Sequence, residues 1–218
     1  MPLIVIEGLN GTGKSTVANE VASVLGATIM KIPASDFMTK LKAYFDMHPE
    51  ETVARTLYFM WAAEDIGRKA ANILRKNPDN VVILDRYWYT TYAAQRAYEI
   101  AYNSGKNLEE IDKIIDETKA RMLVPDAIVY IYVHPAIRDL RLAMRREADK
   151  RNDKWHSGDA KLYYAFEEEY KRLFEQLEKE GANVIRIDNS GDISKTVSNT
   201  LEQLNRSVFA RKKATTRA

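Results

Sequence analysis

Five short stretches of nearly unbroken apolar sequence recur along the chain: Leu3–Ile6, Thr28–Ile32, Val81–Leu84, Ala127–Val133 and Val184–Ile187. Continuous apolar sequence of this kind is expected of strands covered on both faces, whereas a half-exposed strand alternates. Between these stretches apolar residues return with helical spacing, predicting helices near 13–25, 36–46, 51–76, 88–104, 107–122, 136–148, 160–180 and 192–209. Gly26 and Gly181 stand where helices commonly end on a left-handed residue. Strands alternating with helices imply right-handed crossovers and a parallel sheet, so the fold class is α/β with a five-stranded parallel sheet flanked by helices.

The pattern breaks twice. Arg145–Gly158 is dense in charge, short of apolar residues and ends in Ser-Gly, and Arg211–Ala218 is basic without periodicity. Residues 1–210 are therefore read as one domain, with a mobile lid at about 145–158, and 211–218 as a disordered basic tail. No internal repeat or low-complexity linker interrupts the domain.

Composition narrows the chemistry. Of 218 residues, 45% are hydrophobic and 29% charged, with 33 Lys plus Arg against 31 Asp plus Glu. A net charge of +2 gives no global basic excess for nucleic acid or a membrane surface, so any positive chemistry must be local. There is no cysteine, which removes disulfides, thiolate metal sites and a cysteine nucleophile. The first strand begins at residue 3, no apolar run approaches a membrane span, and the location expected is the cytoplasm.

The candidate chemistry starts where the first strand ends. Gly8-Leu-Asn-Gly-Thr-Gly-Lys-Ser15 fits the phosphate-loop pattern G-x-x-x-x-G-K-[ST], after an apolar strand and before an amphipathic helix. Backbone N–H groups must converge on phosphate oxygens, and Gly8, Gly11 and Gly13 remove side chains where the loop wraps the anion. The rest of the phosphate-binding set is Asn10, Thr12 and Thr16, the helix N-terminus, Lys14 on the β/γ oxygens, and Ser15 as a hydroxyl ligand to Mg²⁺. These residues predict a three-layer P-loop NTPase fold with a purine nucleoside triphosphate and Mg²⁺ as donor or ligand.

The third apolar stretch runs directly into Asp85-Arg86. At the C-terminal edge of a parallel sheet, where ligands sit, the Asp can hold Mg²⁺ partly through water and the Arg can clamp a second phosphate. Taken alone, the pair would also suit a plain strand-end ion pair.

Three ordered motifs together resemble the thymidylate kinase family of nucleoside monophosphate kinases. They are Glu7-Gly-Leu-Asn-Gly-Thr-Gly-Lys-Ser-Thr16, Asp85-Arg-Tyr-Trp-Tyr-Thr-Thr-Tyr-Ala-Ala-Gln95 and Pro125-Asp-Ala-Ile-Val-Tyr-Ile-Tyr-Val133. The resemblance covers about residues 3–190 and implies transfer of the ATP γ-phosphoryl group to dTMP or a related deoxynucleoside monophosphate. It implies that Asp85 is catalytic beside the transferred phosphate, that Arg86 binds the acceptor 5′-phosphate, and that Thr91 and Gln95 line the base pocket. Asn10 takes the place of a carboxylate near the sugar hydroxyl. Gly11 matches members that supply the catalytic arginine from the lid, making Arg145, Arg146 and Arg151 the candidates. Arg138, Arg141 and Arg145 fall on one helical face, and Arg138–Lys154 holds seven Lys or Arg against four Asp or Glu.

Two segments depart from the family pattern. Lys31-Ile-Pro33 replaces Arg-x-Pro, and a further nearby arginine is missing. In the aromatic run Leu57–Asp65, Glu64 stands where an arginine normally meets the base, with Arg68 one turn later. Phe59, Met60, Glu64, Arg68 and Pro33 are thus the remaining acceptor-site candidates. Glu64 would prefer an amino group to a carbonyl. The resemblance also implies a homodimer. The alternatives are a deoxynucleoside kinase, which would phosphorylate a 5′-hydroxyl, and a non-catalytic P-loop nucleotide switch; the sequence carries no guanine-recognition signature for the latter.

Overall fold

The computed structural model describes residues 2–32, 36–149 and 160–210, of which 36–38, 146–149 and 160 are described by their helical backbone only. Five parallel strands, β1 (Leu3–Glu7), β2 (Thr28–Lys31), β3 (Val82–Asp85), β4 (Ala127–Tyr132) and β5 (Val184–Asp188), form one sheet in the order β2-β3-β1-β4-β5. Each apolar stretch in the sequence has become a strand, with no end moved by more than one residue. The helices are α1 (Lys14–Leu25), α2 (Asp36–Met47), α3 (Thr52–Lys76), α4 (Trp88–Tyr102), α5 (Leu108–Lys119), α6 (Pro135–Asp149), α7 (Ala160–Lys179) and α8 (Ile193–Leu204). The last expected helix, 192–209, changes form at its end: Asn205–Phe209 is a π-helical turn.

Coverage on both faces explains the continuous apolar sequence of β1 and β3, whereas the edge strands β2 and β5 keep exposed positions. In β1, Leu3 and Val5 pack with α3, α4 and α7 residues such as Ile66, Ala97 and Phe174. Ile4 and Ile6 point the other way, onto Val17 and Val21 of α1 and Leu204 at the end of α8. All four are essentially removed from water. Burial of an aliphatic side chain of this size stabilises by about 1.5–3 kcal/mol, so β1 anchors both layers.

Sheet order positions the site. β1 sits between β3 and β4, and the chain leaving it crosses to one side while that leaving β3 crosses to the other, a switch point that opens a crevice at the strands' C-terminal ends. The register pairs Ile6 with Asp85. Glu7 and Arg86, one residue further along each strand, therefore emerge side by side at that edge. The proposed lid segment from 150 to 158 and the tail 211–218 lie outside the described residues.

Candidate active site

The loop between β1 and α1 takes the form its glycines require. Gly11 and Gly13 have φ of +85° and +80°, the left-handed region in which a side chain is strained. A Cβ on Gly13 would stand 2.5 Å from Nδ2 of Asn189, and one on Gly11 would meet Arg138 and Leu142 of α6 at 3.0 Å. Gly13 precedes α1, and no side chain caps that helix. Its first-turn N–H groups are thus presented to the loop, the arrangement that attracts an anion.

The carbonyls of the same loop are bound from behind. Asn189 Nδ2 donates to the Thr12 carbonyl at 2.8 Å, Arg141 Nη1 to the same oxygen at 3.4 Å, and Arg138 Nε to the Asn10 carbonyl at 3.0 Å. Turning carbonyls towards these donors leaves amide N–H groups for the phosphate side. Arg138 and Arg141 belong to the basic face noticed in the sequence, but they brace the loop, and Arg145 is the member of that face that lines the cavity. Asn189 carried no sequence signal beyond following an apolar strand.

Lys14, Ser15 and Asp85 converge at the ends of β1 and β3. Ser15 Oγ donates to Asp85 Oδ2 at 2.7 Å, and Lys14 Nζ lies 3.8 Å from Oδ1. Burial, reinforced by the neighbouring Arg86, pushes the Lys14 ammonium down to about 7 against the pull of Asp85 and Glu7. Burial acts to raise the Asp85 carboxyl, but Lys14, the Ser15 hydroxyl and Lys31 outweigh it and hold the group below its usual range. Asp85 Oδ1 is buried without a hydrogen-bond partner. A carboxylate oxygen of this kind beside a serine hydroxyl is a hard oxygen donor set of the type Mg²⁺ takes together with water and phosphate. No group of three or more His, Cys, Asp or Glu able to hold a metal occurs among the described residues, so a metal here would depend on a phosphate ligand.

Arg86 is held firmly. Its φ of +78° is unusual for a residue with a side chain, a strain that persists only where surroundings over-determine it. Nη2 donates to Asn10 Oδ1 at 2.7 Å and Nη1 to Thr90 Oγ1 at 2.9 Å. Behind it lies Glu7, fully buried, accepting from the Tyr87 amide at 2.8 Å, the Tyr170 hydroxyl at 2.9 Å and Thr90 Oγ1. Burial raises the Glu7 carboxyl, with Arg86 and these donors opposing the shift. Thr90 and Tyr170 were not singled out in the sequence; Glu7 was visible only as the first residue of its motif.

A cavity of about 300 Å³ opens beside this edge. Asn10, Lys14, Ser15, Lys31, Arg86 and Arg145 line it with polar and charged groups, and Phe59, Thr91, Gln95 and Phe166 also face it. Lys31 Nζ reaches Asp85 Oδ2 at 3.2 Å, and Lys42 pairs with Asp46 at 2.5 Å on the same wall.

Three acceptor-site candidates lie elsewhere, because each residue of a helix turns about 100°. Met60 is 1% exposed in the core. Glu64 is five residues beyond Phe59, about 140° further round α3, and pairs with Arg121 at 3.5 Å. Arg68 is exposed and pairs with Asp65 at 2.8 Å. The stripe that does face the cavity passes through Phe59, and one turn before it stands Arg55, a buried arginine that sequence reasoning overlooked. Pro33 and Arg151 lie outside the described residues, as does the side chain of Arg146.

A phosphate loop, a strand-end Asp-Arg and a cationic cavity on this sheet define a P-loop phosphotransferase of the nucleoside and nucleotide kinase class. The thymidylate kinase family model matches residues 6–199, and the chain belongs to that family. A probable thymidylate kinase of Picrophilus torridus is 27% identical over 157 residues, covering 69% of this chain and 71% of that protein. The thymidylate kinase of Leptospira borgpetersenii is 29% identical over 161 residues, covering 68% and 71%. Among solved structures, thymidylate kinase from Candida albicans superposes with a TM-score of 0.70 at 20% identity, covering 94% of this chain and 91% of the other. Deoxyadenosine kinase from M. mycoides, solved with dCMP and dCDP bound, gives 0.68 at 18%, covering 94% and 99%.

Proposed function

We propose that this enzyme transfers the γ-phosphoryl group of Mg²⁺-ATP to the 5′-phosphate of dTMP, giving ADP and dTDP. The observation that carries this reading is one cavity running from the phosphate loop to an aromatic end, with Lys14, Lys31, Arg86 and Arg145 on its polar walls. Two anionic phosphates must be brought together for this reaction, and fixed cations lower that repulsion more than mobile water can.

In this reading the loop amides, Thr12, Thr16 and Lys14 hold the ATP phosphates. Arg86, fixed by Asn10 and Thr90, clamps the acceptor phosphate. Phe59 packs against the base, and Thr91 and Gln95 meet its edge. Asp85 and Ser15 would hold Mg²⁺, which supplies charge neutralisation across the β and γ phosphates when bound. Arg145 approaches from α6, and with Arg146 and Arg151 forms the set proposed to follow charge as the phosphoryl group moves. Membership of the family supports a homodimer as the assembly. No helix among the described residues is long and apolar enough to cross a membrane, and the cytoplasm is the proposed location.

A deoxynucleoside kinase is the second reading, favoured by the missing further arginine after Lys31-Ile-Pro33. A coupled ADP-release assay with Mg²⁺-ATP separates them. Turnover with dTMP and none with thymidine is expected; turnover with thymidine alone would reverse the choice. ATP hydrolysis indifferent to either acceptor would favour a nucleotide switch.

A further inference from the structure

Gln95 lines the cavity, and a glutamine amide can offer either a carbonyl or an NH₂ group to a base. Here that choice is removed. Arg55 Nε lies 3.2 Å from Gln95 Oε1. A guanidinium donates and never accepts, so the atom facing it must be the oxygen. Nε2 is then the end of the amide left for the cavity, with no hydrogen bond to it from the described residues.

Arg55 is itself immobilised. It is fully buried on α3, its Nη1 donates to the Phe45 carbonyl of α2, and its guanidinium packs 5.1 Å from the Tyr98 ring and 5.8 Å from Phe59. Burial lowers its pKa to about 10, which leaves it charged at neutral pH. It does not line the cavity, so its influence passes through Gln95.

We propose that Arg55 is a positioning residue that locks the Gln95 amide with its donors towards the base, so that the acceptor site reads a carbonyl oxygen and favours thymine or uracil over cytosine. A 4-keto pyrimidine offers O4 to Nε2, while its N3–H donates to the Thr91 hydroxyl one turn earlier on the same face of α4. Cytosine brings an amino group to the same place, setting donor against donor. A buried mispairing of that kind costs about 10–100-fold in kcat/KM. The role that the family pattern would give to position 64 is thus met differently, by an arginine nine residues earlier acting at one remove.

This rests on the acceptor's base entering this cavity. It is tested with dTMP, dUMP, dCMP, thymidine and deoxycytidine on the wild type, Arg55→Met and Gln95→Glu, with thermal unfolding of each. The wild type should prefer dTMP and dUMP to dCMP by about 10-fold or more. Arg55→Met frees the amide to turn over, and the dTMP-to-dCMP ratio should fall about tenfold while the KM for ATP holds. In Gln95→Glu one carboxylate oxygen stays on Arg55 and the other faces the base as an acceptor, so preference should move to dCMP.

A folded Arg55→Met with the wild-type ratio overturns the proposal. A wild type that prefers dCMP also overturns it, since Gln95 would then read cytosine N3 with Asp46 taking the amino group. Should Arg55→Met fail to fold, an unchanged preference in Gln95→Glu has the same force. Turnover of nucleosides alone would defeat the monophosphate reading, yet the thymidine-to-deoxycytidine ratio would still decide the role of Arg55. If nothing is phosphorylated, the ratio of dTMP and dCMP dissociation constants decides it.

Discussion

The two ends of the site are built by different means. The proposed donor end is made of backbone: glycine-permitted turns, a helix N-terminus and carbonyls braced by Asn189, Arg138 and Arg141. The proposed acceptor end is made of side chains brought from α2, α3, α4 and α7, with Gln95 bonded to Arg55 forty residues away and sharing the cavity wall with Phe166. A backbone site constrains residue types tightly and in one short run. A side-chain site can be reached by several combinations, because another helix can supply the charge.

The largest expected effect falls on the donor end. Lys14→Met should lower kcat by about 10²–10³-fold, the usual loss when one preorganised cation or donor is removed from a transferring charge. The check is single-turnover phosphoryl transfer at saturating ATP and dTMP. A smaller loss would mean that the loop amides carry that charge without Lys14.

The depressed Lys14 pKa makes a second difference measurable. In the free protein this ammonium titrates at about 7, against the ordinary value of 10.5. An unfolded chain therefore binds more protons at this group between those values, and its contribution to stability grows as pH rises through that window. Polyphosphate bound beside it restores the proton. ATP binding at pH 8 should take up close to one proton, and much less at pH 6. Titration calorimetry in two buffers of different ionisation enthalpy reads this directly, whereas dTMP binding should show a smaller uptake.

The smallest effects should come from the residues that family spacing pointed to and the structure moves away. Glu64→Ala and Arg68→Ala each remove an exposed ion pair, and should leave the kcat/KM for dTMP within about twofold. A tenfold loss in either would bring α3's outer face back into the acceptor site.

The same contrast explains what the sequence could reveal. β1 and β3 were legible because burial on both faces leaves continuous apolar runs, whereas the partly buried edge strands β2 and β5 were legible as short apolar runs between helical stretches. The convergence of Lys14, Ser15 and Asp85 was legible because phosphate and metal chemistry would demand particular residues at strand ends. Glu64 and Arg68 were placed by alignment to a pattern, and helical phase turned them away from the cavity. Arg55 left no such trace, since its meeting with Gln95 requires α3 and α4 to pack in register, forty residues apart. Asn189, arriving after β5, depends likewise on sheet order rather than on any local motif.

The claim common to all of this is that Arg86 serves the acceptor end while Lys14 serves the donor end, although both sit at one sheet edge. Arg86→Ala tests it most directly through KM values for dTMP and ATP measured on one preparation. Loss of a fixed charged clamp should raise the KM for dTMP by about 30-fold or more and leave that for ATP nearly unchanged. Equal increases in both would contradict the division of the site.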